Sequence, residues 1–188
     1  MIMLMKNRPS LAVSLSLAAC VISFVLVTIM FGNSGRTSAQ PTSVDVAIMV
    51  DTVEDASAEA GYQIATPDPA LTEFEGKGAI PSIDVMRLQI DGGGPRSRPV
   101  GQSWMLADGS WVRLVQIAGG MGIPGKGDAI DIAGAKTQRL FLKAEDGMPA
   151  RLALYWDSAG VGFSLCGTLT GSISEEMLIA LAASVRPR

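Results

Sequence analysis

The chain has 188 residues, no histidine, two cysteines and a mean hydropathy of +0.32. Without imidazole there is no His metal ligand, no Ser-His-Asp or Cys-His catalysis and no His-based pH sensing. Three of the 15 basic residues (Lys6, Arg8 and Arg36) come first and all 18 acidic residues follow, so residues 37–188 carry a net charge of −6; such a surface is a poor counter-ion for phosphate, and no nucleic-acid partner is expected.

Residues 1–10 read as a short cytoplasmic tail. Residues 11–31 (LAVSLSLAACVISFVLVTIMF) contain no charge, and as a helix they span about 31 Å at ~1.5 Å per residue, close to the ~30 Å hydrocarbon core. Ser14, Ser16, Ser23 and Thr28 are tolerated because a hydroxyl bonds back to a helix carbonyl. Lys6 and Arg8 precede the run and only Arg36 follows closely. The positive-inside rule therefore keeps the N-terminus cytoplasmic and exports residues 32–188. The expectation is a single-pass plasma-membrane anchor. Two alternatives compete with it. Thr37-Ser38-Ala39 would permit signal cleavage before Gln40, although signal apolar regions are usually ~7–15 residues. Leu17-Ala18-Ala19-Cys20 matches a lipobox, but the chain stays apolar from Val21 to residue 31, where a lipidated Cys normally opens a polar tether.

Residues 32–43 (GNSGRTSAQPTS) have the composition of a flexible linker. Residues 44–188 are expected to form one extracytoplasmic α+β domain, an antiparallel sheet of about six or seven strands flanked by an N-terminal and a C-terminal helix. Residues 44–60 are predicted as a helix with Ser43 as N-cap, because acidic residues and Ala56, Ala58 and Ala60 accumulate before a stop at Gly61. Residues 62–66 read as a strand ended by Pro67-Asp68-Pro69. A strand is predicted over 83–90. Residues 100–107 and 110–118 flank Asp108-Gly109 as a hairpin. Residues 129–132 and 137–143 read as two strands around Gly134. Residues 150–157 and 160–167 form a further hairpin across Ser158-Ala159. The closing helix starts at a capping box (Ser172 with Glu175) or at Ser174, and Leu178, Leu181, Ala182 and Val185 form one apolar stripe.

Few residues point to chemistry. Residues 120–127 (GMGIPGKG) satisfy G-x-x-x-x-G-K, but Gly127 replaces the Mg²⁺-holding Ser/Thr and residues 128–134 (DAIDIAG) open no helix, so a Gly-rich connection is expected. Glu175-Glu176 are explained by capping and Glu145-Asp146 by a turn. Asp128 and Asp131 fall short of the ~6–8 oxygens of a Ca²⁺ site. Trp104, Trp111, Tyr155 and Trp156 are expected in the core rather than in a ligand groove. Cys166 reads as a small buried or half-buried strand residue, with no Lys or Arg beside it in sequence. No catalytic, cofactor-binding or metal-binding residue is assigned.

Arg151-Leu-Ala-Leu-Tyr-Trp156, Val161-Gly-Phe-Ser-Leu-Cys-Gly167, Ser174-Glu-Glu-Met-Leu178 and Ala182-Ala-Ser-Val185 resemble the strand, strand and helix that close an uncharacterised bacterial extracytoplasmic domain. That domain occurs in sporulation-related and anti-sigma-factor-like membrane proteins. The resemblance implies no catalytic residues. Only ten residues precede the apolar run, too few for a sigma-binding domain, so that role is not carried over. The functional expectation is a non-enzymatic binding or sensory module of the cell envelope, with an envelope protein or an apolar ligand as partner. A half-barrel lipid carrier and a secreted domain are the alternatives.

Overall fold

The computed structural model of the chain describes residues 47–86, 98–122, 127–145 and 147–187. The expected tail, transmembrane helix and linker, with Cys20 and Ser43, lie outside the described residues, as does the 87–90 portion of the strand expected at 83–90. Among the described residues no helix is long and apolar enough to cross a membrane.

The expected long first helix is corrected to two elements, β1 (Ile48–Val50) and α1 (Val53–Ala60). Ile48 and Val50 are half-buried while Met49 between them is 57% exposed, an alternation of period two that fits a strand and not a helix. Thr52 then starts the helix. Its Oγ1 accepts the Asp55 N–H at 3.0 Å and donates to Asp55 Oδ2 at 2.7 Å, so this side chain supplies the cap that the sequence reading gave to Ser43. Gly61 ends α1 at φ 80°, as expected of a left-handed stop.

The strand expected at 62–66 shrinks to β2 (Ala65–Thr66), and Pro67-Asp68-Pro69 opens a single helical turn, α2 (Pro69–Thr72), capped by Asp68. The remaining strands are β3 (Ile80–Val85), β4 (Val100–Met105), β5 (Trp111–Ala118), β6 (Asp128–Ile132), β7 (Ala135–Leu142), β8 (Arg151–Ser158) and β9 (Val161–Thr168). After them come α3 (Glu175–Ser184) and β10 (Arg186–Pro187). Ser174 caps α3 by accepting the Met177 N–H at 3.2 Å, which selects the simple cap over the Ser172 capping box. Two hairpins turn on residues that tolerate positive φ. Ala133-Gly134 joins β6 to β7 at φ 51° and 83°, and Ala159-Gly160 joins β8 to β9 at φ 51° and 78°, the signature of type I′ turns. The second turn sits one residue later than expected.

Eight strands form one antiparallel sheet in the order β1-β3-β4-β5-β9-β8-β7-β6, one more than the upper expectation. Two meanders, β3–β4–β5 and β6–β7–β8–β9, meet along β5 and β9, where Leu114 lies opposite Leu165. A separate pair, β2 with β10, ties the end of the chain to the segment after α1.

Both longer helices lie on one face of the sheet. There α1 closes a small cluster of Ala56, Ile64, Val85 and Val100, while α3 sets Leu178, Leu181 and Ala182 against Leu114, Leu154 and Leu165. Trp156 stacks on Phe163 in the same core with ring centroids 5.1 Å apart. Each fully buried side chain of this size contributes about 1.5–3 kcal/mol.

β2 passes beneath this face, and two buried glutamines satisfy its backbone. Gln116 Oε1 accepts the Ala65 N–H at 2.9 Å, and the Gln116 and Gln102 amides both donate to Ala65 O, at 2.9 and 2.8 Å. Gln116→Ala will therefore destabilise the domain by about 1–3 kcal/mol, the cost of unpaired buried amide groups. Urea unfolding followed by tryptophan fluorescence reads this directly.

Candidate functional site

The opposite face of the sheet is where residues capable of recognition collect. Side chains two apart on a strand share a face, so the strand register lays them out in rows. One row runs Ser82, Ser103, Arg113, Cys166, Ala153, Leu140 across β3, β4, β5, β9, β8 and β7. The next runs Asp84, Gly101, Val115, Ser164, Tyr155, Gln138 across the same strands. Among the described residues neither α1 nor α3 reaches this face; the turn at Gly120 and Met121 does, over Gly162, and Asp157 Oδ1 accepts the Met121 N–H at 3.3 Å.

Arg113 and Asp84 dominate one half of the face. Arg113 Nη1 and Nη2 donate to the two carboxylate oxygens of Asp84 at 2.8 Å each, and Nη1 also donates to Ser103 Oγ at 2.7 Å. Both residues are buried. The guanidinium lies across Gly101, where an added Cβ would overlap Nη2 of Arg113 and approach Asp84 Oδ1 to 2.9 Å. Glycine at this point is a requirement of the ion pair.

Tyr155 and Cys166 dominate the other half. Ala153, fully buried between Arg151 and Tyr155 on the strand, keeps this part of the face low. Burial pushes the Tyr155 phenol from its ordinary value near 10 up to about 12, and the Cys166 charge adds to this; the Ser164 hydroxyl and Arg151 act in the opposite direction. Tyr62, half-buried on the helix side with its hydroxyl donating to Gln116 O at 2.7 Å, is also raised, chiefly by burial. In both cases the folded state keeps a proton that the unfolded chain gives up near pH 10. Stability is thus independent of these groups below pH 10 and falls as pH rises above it. Denaturant titrations at pH 9, 10 and 11 will show that loss at the highest pH, and phenolate absorbance will show two tyrosines titrating late.

The aromatic residues divide between the faces. Trp104 and Trp156 are in the core as expected, Tyr155 is buried on the opposite face, and Trp111 is half-buried there. Asp128 and Asp131 do not converge. Asp128 pairs with Arg139 at 2.9 Å, whereas Asp131, facing the other side of the strand, accepts the Gly134 N–H at 2.9 Å. Glu175 holds Arg139 Nη1 at 2.7 Å, and the Glu176 carboxyl is held low by its own backbone N–H and by Ser174. Glu145 pairs with Met148 in a turn, while Asp146 lies outside the described residues. Gly127 leads directly into β6, and residues 123–126 of the Gly-rich segment lie outside the described residues. Among the described residues no group of three or more Cys, Asp or Glu could hold a metal.

No family model, curated protein or solved structure matches this chain.

Sequence reasoning passed over the Arg113–Asp84 pair because 29 residues separate its members. A faint signal existed, since each is a charge between apolar neighbours, Ile83 and Val85 around Asp84 and Val112 and Leu114 around Arg113. A longer separation hid the neighbour of Cys166: no basic residue adjoins it in sequence, yet Arg113 is its register partner across β5 and β9. The Arg113 guanidinium, Tyr155 phenol, Cys166 thiol and Ser164 hydroxyl of this face are all buried, while Arg151 and Trp111 are half-buried.

Proposed function

We propose that this chain is a membrane-tethered, non-enzymatic binding module of the cell envelope, with its sheet domain on the extracytoplasmic side. The observation that carries the binding part is the division of the two faces: α1 and α3 both pack on one, and the other carries half-buried Trp111 and Arg151 beside buried Arg113 and Tyr155. The charge-free run at 11–31, preceded by Lys6 and Arg8, supports the tether and its direction. The resemblance of residues 150–187 to the closing motif of extracytoplasmic envelope domains supports the same placement.

The binding reading is preferred to that of an apolar carrier because large side chains occupy the space between sheet and helices. Phe74, Leu114, Leu152, Leu154, Leu165 and Leu178 are each at most 2% exposed, whereas a carrier needs a cavity there. Fractionation of cells expressing the full chain tests the placement. Full-length protein will sediment with membranes, resist carbonate extraction and be digested by protease added to spheroplasts. Full-length material in the soluble cytosol overturns the reading, and a mature N-terminus at Gln40 replaces the tether with secretion.

A further inference from the structure

We infer that β6 pairs edge to edge and antiparallel with β6 of a second copy of this chain, about a two-fold axis at Ile130. The pairing uses the edge of the sheet and goes beyond the binding reading, which concerns its faces.

β6 (Asp128–Ile132) ends the sheet, and among the described residues no strand pairs with its outer side. Asp128, Ala129 and Asp131 are exposed, Ile130 is half-buried and Ile132 is buried. An edge strand carries backbone donors and acceptors that a further strand can meet. The hairpin fixes which ones they are. The type I′ turn at Ala133-Gly134 makes Ile132 and Ala135 a hydrogen-bonded pair. Alternation then directs the N–H and C=O of Ile132, Ile130 and Asp128 toward β7, and those of Ala129 and Asp131 outward.

The two outward residues are symmetric about Ile130. In the antiparallel match Ala129 lies opposite the second copy's Asp131 and exchanges both hydrogen bonds with it. The reverse pair does the same, and Ile130 meets its own counterpart as a non-hydrogen-bonded pair. Every outward group of β6 is thereby met, the closed arrangement of an isologous contact. No carboxylate directly faces another, because Asp131 faces Ala129 and Asp128 faces Ile132. Charges commonly guard an edge, but those of β6 are answered within the copy. Asp128 binds Arg139 at 2.9 Å, and Lys136 is the register partner of Asp131. What singles out a second copy as occupant is this self-matching register, with apolar Ile130 at its centre. The opposite edge is a poorer template, since β1 has only three residues.

Disulfide trapping of the purified full-length chain tests this, on a Cys20→Ser background in which the remaining cysteine, Cys166, is buried. Ile130→Cys will give a covalent dimer under mild oxidation. Non-hydrogen-bonded partners sit about 4.5 Å apart at Cα, within disulfide reach. Asp131→Cys will give about tenfold less, because its counterpart lies on the diagonal, about 7–8 Å away. The exposed Ala129 sets the sign of the effect without touching the core. Combined with Ile130→Cys, Ala129→Asp places like charges opposite each other twice and will lower the trapped fraction about fivefold. Ala129→Lys faces Asp131 instead and will raise it. Absence of an Ile130→Cys dimer above the Cys20→Ser parent overturns the pairing. Equal trapping by Asp131→Cys overturns it too, as does equal trapping by the Ala129→Asp and Ala129→Lys variants. Trapping uses purified protein and does not depend on cellular placement, so its failure and that of membrane fractionation are separable results.

Discussion

Arg113→Ala will destabilise the sheet domain by about 3–5 kcal/mol, because it strands the buried Asp84 carboxylate without its two guanidinium bonds. Domains of this size are commonly stable by only about 5–15 kcal/mol, so the variant will sit close to its unfolding transition at room temperature. The cost comes from breaking the pair and not from the pair's net worth. Replacing both Arg113 and Asp84 by apolar residues of similar volume will restore much of the loss, since the desolvation of two charges disappears with their attraction. Gly101→Ala tests the geometry independently. Its Cβ would overlap the Arg113 guanidinium, so the substitution will be costly in the native chain and nearly harmless on an Arg113→Ala background. That non-additivity, measured by denaturant unfolding of the single and double variants, is the signature of a shared contact. Equal costs in both backgrounds would mean that Gly101 is required for some other reason.

Leu165→Ala will cost about 2–5 kcal/mol. Leu165 is 1% exposed and lies at the seam of the two meanders, with Leu114 opposite it on β5 and Leu154 on β8, both fully buried. Truncation there opens a cavity that α3 cannot fill, because Leu178 and Leu181 already pack against that core. A substitution of Ile80 will change stability far less, since it is 71% exposed. Calorimetry comparing Leu165→Ala with Ile80→Ser separates the two expectations.

Local signals were legible wherever one segment carried its own instruction. Asp108-Gly109 turned the β4–β5 hairpin, with Asp108 Oδ1 accepting the Ser110 N–H at 2.8 Å. Of the expected stripe, Leu178, Leu181 and Ala182 became the buried side of α3, and Val185, also buried, lies just past its end. The misreadings fell on short elements. Residues 48–50 alternate over only three positions, too few to outweigh the helix formers behind them, and they become a strand because β3 offers a partner edge. β2 is two residues long, held by Gln102, Gln116 and β10, all of them distant in sequence.

By themselves, the residues determined the chemistry that is excluded, through the absence of His, and the alternation and turn positions of the hairpins. They also contain the uncharged run whose length matches a bilayer core. Only the tertiary structure decided that two meanders join into one eight-stranded sheet, that both longer helices share one face, and that Arg113 is satisfied by Asp84. The physical reason is that periodicity and turn chemistry act over a few neighbouring residues. Strand order, and with it the pairing of charges across strands, is set by which distant surfaces bury one another best.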